Sequence, residues 1–317
     1  MKEANFSFFH QNIGAFRKEG FARLKGMESS MRYLIINADD YGVCTETNKA
    51  IEHIFNEGTL SSTTIMTPCI GAENGIERAK ANPKIKMGLH ITTNAEWTKE
   101  YGSWKPIAEQ TRSLTDENGY FFDNVAAFAA QAKGAEVAVE IEAQYQFLVS
   151  RGIVPTHADS HMGSVYGLGG VSFMKETLEF CAKYKLPFRF PKNIENVKML
   201  TRLKTIPAPL QAAHEQAVGY ANMLGVKLID NLLSCVLDYS ELTSYKKVRD
   251  EYLRIISNLP EGINEIFLHP SAENSPMGKN NPKWPSRVWE YQLLLDDELK
   301  QHIEKEDITL ISYPEIP

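Results

Sequence analysis

Cysteine is scarce and spaced against pairing: Cys44, Cys69, Cys181 and Cys235 lie far apart and no Cys-x-x-Cys occurs. That excludes a zinc ribbon and a disulfide-built scaffold, and the four read as reduced core or near-site residues. Positive charge is not in excess either, with 34 Lys and Arg against 40 Asp and Glu and a net charge of −6. A nucleic-acid partner would call for a basic stripe or domain, so the balance points to a small, uncharged partner. No run approaches the roughly 20 apolar residues that cross a bilayer. No internal repeat, low-complexity segment or glycine-rich dinucleotide fingerprint is present. At the amino end Phe6, Phe8 and Phe9 precede Arg17, Lys18, Arg23 and Lys25, the reverse of a secretory signal. A cytoplasmic protein is therefore expected, without a membrane partner, and homo-oligomerisation stays open.

The 317 residues are 43% hydrophobic and 23% charged, ordinary values for a globular chain of one large or two smaller domains. One domain over 31–317 is expected, because the candidate site residues come from both halves. Residues 1–30, ahead of Met31 and the first apolar run, read as a loosely attached extension or a docking helix. From there strand and helix signals alternate. Strands are expected near 33–36, 61–67, 85–91, 157–161, 186–190, 227–229, 263–269 and 308–313, and helices at 48–56, 72–81, 136–150, 173–184, 211–223, 241–258 and 287–304. About eight strand signals separated by helical ones favour a closed (β/α) barrel over an open sheet. Two long loops interrupt the alternation. One, at 92–124, carries Trp97 and Trp104 and is expected to close over a substrate; the other, at 270–286, carries Trp284.

Four apolar runs end in chemistry-bearing residues. The first leads into Asn37-Ala38-Asp39-Asp40-Tyr41-Gly42, and the others end on His90, on His157 and His161, and on His269. In a (β/α) barrel the carboxyl ends of strands converge on one rim, where Asp39, Asp40, His90, His161, Arg189 and His269 would face one another. A catalytic metal needs about three protein ligands and an open position, and Asp40, His90 and His161 can supply them. The expected cofactor is one divalent ion, magnesium or zinc. Period-two alternation puts His157, Asp159 and His161 on one side of their strand, a costly face unless its groups bind metal or each other. His157 and Asp159 are expected to orient ligands or contact substrate; Arg189 either binds substrate or pairs with a carboxylate at the rim, and Trp104 either stacks on a sugar face or pins its loop to the barrel. In an extended chain Asp39 and Asp40 point opposite ways, which suits a division of labour between a ligand and a proton acceptor. Together the groups specify hydrolysis by a metal-activated water.

The motifs Asn-Ala-Asp-Asp-Tyr-Gly at 37–42, Gly-Leu-His at 88–90, Pro-Thr-His-Ala-Asp-Ser-His at 155–161 and Leu-His-Pro at 268–270 resemble those of the YdjC-like carbohydrate deacetylases. The resemblance runs from about Met31 nearly to the end. It implies a distorted (β/α) barrel and metal-dependent removal of acetyl groups from N-acetylated sugars or oligosaccharides. By motif, Asp39 is similar to the family's general base, Asp40, His90 and His161 to its metal ligands, and His269 to its catalytic histidine. After His161 this chain reads Met162-Gly163-Ser164-Val165, where the family has further histidines. That change touches the substrate-facing wall and leaves the triad whole. The alternative is a catalytically impaired sugar-binding barrel. An amidohydrolase of the His-x-His type is disfavoured, since no His-x-His follows the first strand.

Overall fold

The computed structural model describes residues 31–96, 104–237, 240–278 and 281–317. The expected extension at 1–30, and Trp97, lie outside them. Nine strands follow in chain order: β1 (Arg32–Tyr41), β2 (Ser62–Ile65), β3 (Met87–Ile91), β4 (Ala158–Ser160), β5 (Phe188–Pro191), β6 (Leu228–Ile229), β7 (Asn231–Leu233), β8 (Gly262–Leu268) and β9 (Thr309–Leu310). The helices are α1 (Thr45–Glu57), α2 (Ala72–Ala81), α3 (Val125–Gln131), α4 (Gly134–Val149), α5 (Met174–Tyr184), α6 (Ile194–Thr201), α7 (Ala208–Leu224), α8 (Tyr245–Ser257), α9 (Trp284–Leu294) and α10 (Asp297–Lys305).

Eight strands pair in the order β6-β5-β4-β3-β2-β1-β8-β7, and every pairing is parallel. The two ends of that path, β6 and β7, are separated in the chain by Asp230 alone, so the sheet returns on itself as a nearly closed barrel. Asp230 makes the bend possible by serving both neighbours. Its Oδ2 accepts from the Ile263 N–H at 2.8 Å on one side, and its Oδ1 meets Lys192 Nζ at 2.9 Å on the other. The expected (β/α) barrel is therefore the fold, with a distortion. β1 gives one edge to β8 from Arg32 to Ala38, and shares the other between β9, at Tyr33 and Leu34, and β2, from Asn37 onward.

The alternation of β1 sets the layers. Leu34, Ile36 and Ala38 join the large apolar core shared with the helices, whereas Ile35 joins Ile229, Leu232, Ile311, Tyr313 and Ile316 in a smaller cluster that plugs the amino-terminal end of the barrel. Above this plug the interior turns polar, and the carboxyl ends of β1, β3, β4, β5 and β8 bring their side chains to one rim.

Several elements differ from expectation. The single helix at 287–304 is two, α9 and α10, because the Asp296 side chain accepts from the Glu298 N–H and starts a new helix. The weakly patterned stretch 193–231 holds α6 as well as the expected α7 and the expected strand β6, and runs on into β7. The segment after the first long loop holds the alanine-rich α3, capped by Asn124, whose side chain accepts from the Ala127 N–H.

Candidate metal centre

The site begins with an irregularity in β1. Asp40 has a φ of 64°, and the pairing with β2 shifts register between Ala38 and Tyr41. Left-handed backbone costs a non-glycine residue about 1 kcal/mol or more, less for Asp than for most. It overrides strand alternation, so Asp39 and Asp40 both reach the His90 imidazole, and the expectation that they point apart is corrected. Each belongs to a compact donor set that includes His90.

The first set is the expected triad. Asp40 Oδ1 lies 3.5 Å from His90 Nε2 and 3.5 Å from His161 Nδ1, and those two nitrogens are 3.3 Å apart. Four ligands held tetrahedrally at about 2.0–2.1 Å from one ion are spaced about 3.4 Å from each other, so the three atoms fit three corners of such a set. Asp40 Oδ1 is also buried without a hydrogen-bond partner, a costly arrangement for a carboxylate unless a cation meets it. The second set, Asp39, His90 and Asp159, fits a cation poorly. The Arg189 guanidinium already lies 2.7 Å from Asp39 and 2.8 Å from Asp159.

Both imidazoles are oriented from behind. His90 Nδ1 lies 2.6 Å from Asp159 Oδ1, while Asp159 Oδ2 accepts from the Thr64 hydroxyl at 2.9 Å. His161 Nε2 lies 2.8 Å from Glu96 Oε2. Such carboxylate partners fix which ring nitrogen faces an ion. Burial alone would depress both imidazoles. For His90 the Asp159, Asp40 and Asp39 carboxylates outweigh it and lift the pKa to about 10, and for His161 Glu96 and Asp40 lift it to about 9. Asp40 is buried too, yet Arg287, whose Nη1 donates to Oδ2 at 2.8 Å, and the two imidazoles hold it well below the usual carboxylate range.

Asp39 sits differently. Arg189 donates from Nη1 and Nη2 to both its oxygens at 2.7 Å, and although burial opposes the shift, that guanidinium holds its pKa down at about 2. Arg189 is held in turn by Glu265, which accepts from Nε at 2.6 Å and also from the Tyr313 hydroxyl. His269 places Nε2 4.0 Å from Asp39 Oδ2, at the open side of the rim with its side chain 34% exposed.

Two expected residues lie elsewhere. His157 stacks on Tyr313, with ring centroids 3.6 Å apart, inside the barrel; a Cβ at Gly88 would sit 2.4 Å from its ring, so only glycine leaves it room. It supports the barrel interior. Trp104 is 2% exposed and sets its ring edge-on to His161 at 6.0 Å between centroids. It backs His161 from within the core, which leaves no face for a sugar and fits the alternative that it pins its loop, and the described part of that loop is further held by Glu140, which accepts from the Ile107 and Ala108 N–H groups.

Sequence reasoning missed Thr64, Glu96, Glu265 and Arg287. Glu265 had a signal, a charge in the middle of an apolar strand. The others carried none, since their role depends on contacts 26 to 247 residues away in the chain.

The chain matches the family of YdjC-like proteins over residues 33–305. It is 28% identical over 285 residues to a carbohydrate deacetylase of Thermoanaerobacter pseudethanolicus, covering 89% of this chain and 98% of that one. It is 26% identical over 288 residues to the chitooligosaccharide deacetylase of Yersinia enterocolitica, again covering 89% and 98%. Among solved structures, one from Enterococcus faecalis, provisionally named for cellobiose-phosphate cleavage, superposes with a TM-score of 0.71 at 25% identity, over 90% of this chain and 98% of that one.

Proposed function

The chain belongs to the YdjC-like proteins, and from that premise we propose that it is a metal-dependent hydrolase that removes acetyl groups from N-acetylated sugars. The observation that carries the reading is the spacing of Asp40 Oδ1, His90 Nε2 and His161 Nδ1 at 3.3–3.5 Å, next to a second carboxylate that takes no part in the set. Asp40, His90 and His161 would hold the ion. Bound there, a divalent cation supplies Lewis acidity, polarising an amide carbonyl and acidifying water. Two imidazoles in the donor set favour zinc or a neighbouring transition ion over magnesium, which prefers oxygen ligands.

The chain's own residues supply the rest. Asp39 takes the proton of the attacking water at a carboxylate oxygen. Arg189 weakens it as a base but fixes its direction, and position matters more than basicity once water is acidified. His269, at the open side, gives a proton to the departing amine nitrogen. Asp159 and Glu96 keep the two imidazoles turned toward the ion. A barrel that only bound sugar would have no need of a carboxylate so oriented beside the donor set.

The test is acetate release from N-acetylated mono- and oligosaccharides by protein stripped with chelator and reloaded with zinc, cobalt, manganese or magnesium. Release restored by one of these ions supports the reading. Absence of release with every ion and sugar, from protein that binds metal stoichiometrically, contradicts it.

A further inference from the structure

The cavity that holds the triad has a volume of about 910 Å³, far more than an acetamido group fills. From the metal-binding end it continues across the carboxyl ends of β5 and β7 into an arm between α6, α7 and the chain at 234–237. The two ends differ in chemistry. Asp39, Asp40, Glu96, His269 and Arg287 line the first, whereas Val197, Leu200, Leu210, Ala217, Leu237 and Leu242 line the arm.

Five polar side chains also border the arm, and each already donates to a backbone carbonyl. The Tyr166 hydroxyl donates to Arg189 O at 2.6 Å, Thr201 Oγ1 to Val197 O at 2.6 Å and Arg202 Nη2 to Val236 O at 2.8 Å. His214 Nε2 donates to Pro191 O at 2.8 Å, and Ser234 Oγ to Phe267 O at 3.3 Å. A second sugar ring would bring several hydroxyls against a largely aliphatic wall, where the Tyr166, Thr201 and Ser234 oxygens offer acceptor positions only, at a cost for each hydroxyl left unpaired. An apolar group meets no such cost and gains from burial. The arm itself reaches solvent past Arg202 and Ala213, both exposed, so a long substituent can leave rather than end blind, as an acyl pocket would.

We propose that the arm binds an apolar aglycone, so that the substrate is an N-acetylated sugar carrying an alkyl or aryl group. This rests on the amide-hydrolase reading only for which end of the cavity is the reaction end. The arm itself is testable without turnover.

The experiment compares octyl and methyl glycosides of N-acetylglucosamine, below the micellar concentration, with the metal-loaded full chain and with Leu200→Asn and Leu210→Asn. Each buried methylene is worth about fourfold in affinity, so KM for the octyl compound should be at least about tenfold below that for the methyl compound. In either variant the ratio should fall toward 1. Acetate release from both compounds with equal KM would overturn the arm and leave the reaction standing. If neither releases acetate, binding of octyl and methyl glucoside, which have no amide, decides. Octyl-selective binding lost in the two variants supports the arm although the reaction reading has failed, and equal weak binding overturns it. A KM advantage that follows N-octanoylglucosamine instead of the octyl glycoside overturns the aglycone assignment.

Discussion

Arg189 grips both oxygens of Asp39 at 2.7 Å, while the next residue, Asp40, turns Oδ1 to two imidazole nitrogens at 3.5 Å. Two adjacent carboxylates with the same covalent structure are thereby committed to different partners. The left-handed Asp40 is what allows both to face one rim.

Removing the guanidinium leaves Asp39, Asp159 and Glu265 as close, buried acids without their shared cation. Breaking a buried ion pair from one side typically costs about 3–5 kcal/mol. Arg189→Met should lower unfolding free energy by about that amount in urea titration. A loss below about 1 kcal/mol would mean that the acids are protonated or solvated and that Arg189 is not their counter-ion.

Trp104 separates the two readings of its loop, a sugar platform and a structural clasp. Since it is buried against His161, Trp104→Ala should cost about 3–5 kcal/mol of stability and weaken metal binding. KM measured at saturating metal should change little. A raised KM with unchanged melting temperature would restore the sugar-stacking role.

The pH dependence follows from the imidazoles. His90 and His161 titrate at about 10 and about 9, above their ordinary 6.5. A histidine whose folded pKa is raised adds stability that is complete below the unfolded pKa and disappears as pH rises through the folded one. Chelator-treated protein should therefore lose melting temperature between about pH 6.5 and 10. A cation takes the place of those protons, so its affinity should rise over the same window. Differential scanning fluorimetry across pH, with metal titrations at each point, checks both. A metal affinity that is flat from pH 6.5 to 9 would contradict the protonation scheme.

The barrel and the candidate donor set were legible because each depends on short-range pattern. Short apolar runs, most of them followed by helical spacing, give the alternation of strands and helices, and Asp40, His90 and His161 stand at the ends of three such runs. What stayed hidden depends on long-range contacts or local backbone. Strand alternation cannot announce a left-handed Asp40, so Asp39 and Asp40 read as facing apart. Trp104 in a polar loop reads equally as a sugar platform or a clasp, and nothing in the pattern sets its ring against His161. Glu96 and Arg287 are ordinary charged residues until the fold sets them beside His161 and Asp40. The signal at 227–229 gives β6, but β7 is too short for periodicity, and Asp230, which joins the two, resembles any turn aspartate.

The paired carboxylates offer the most direct test. Asp39→Asn keeps shape and removes basicity, so it should retain stoichiometric metal while kcat falls by roughly the 10²- to 10⁴-fold of lost general base catalysis. Asp40→Asn should lose metal affinity, and excess metal should partly restore its activity. Metal content and acetate release are measured side by side in the two variants. The account predicts metal loss in Asp40→Asn alone; metal loss in Asp39→Asn with full occupancy in Asp40→Asn would contradict it.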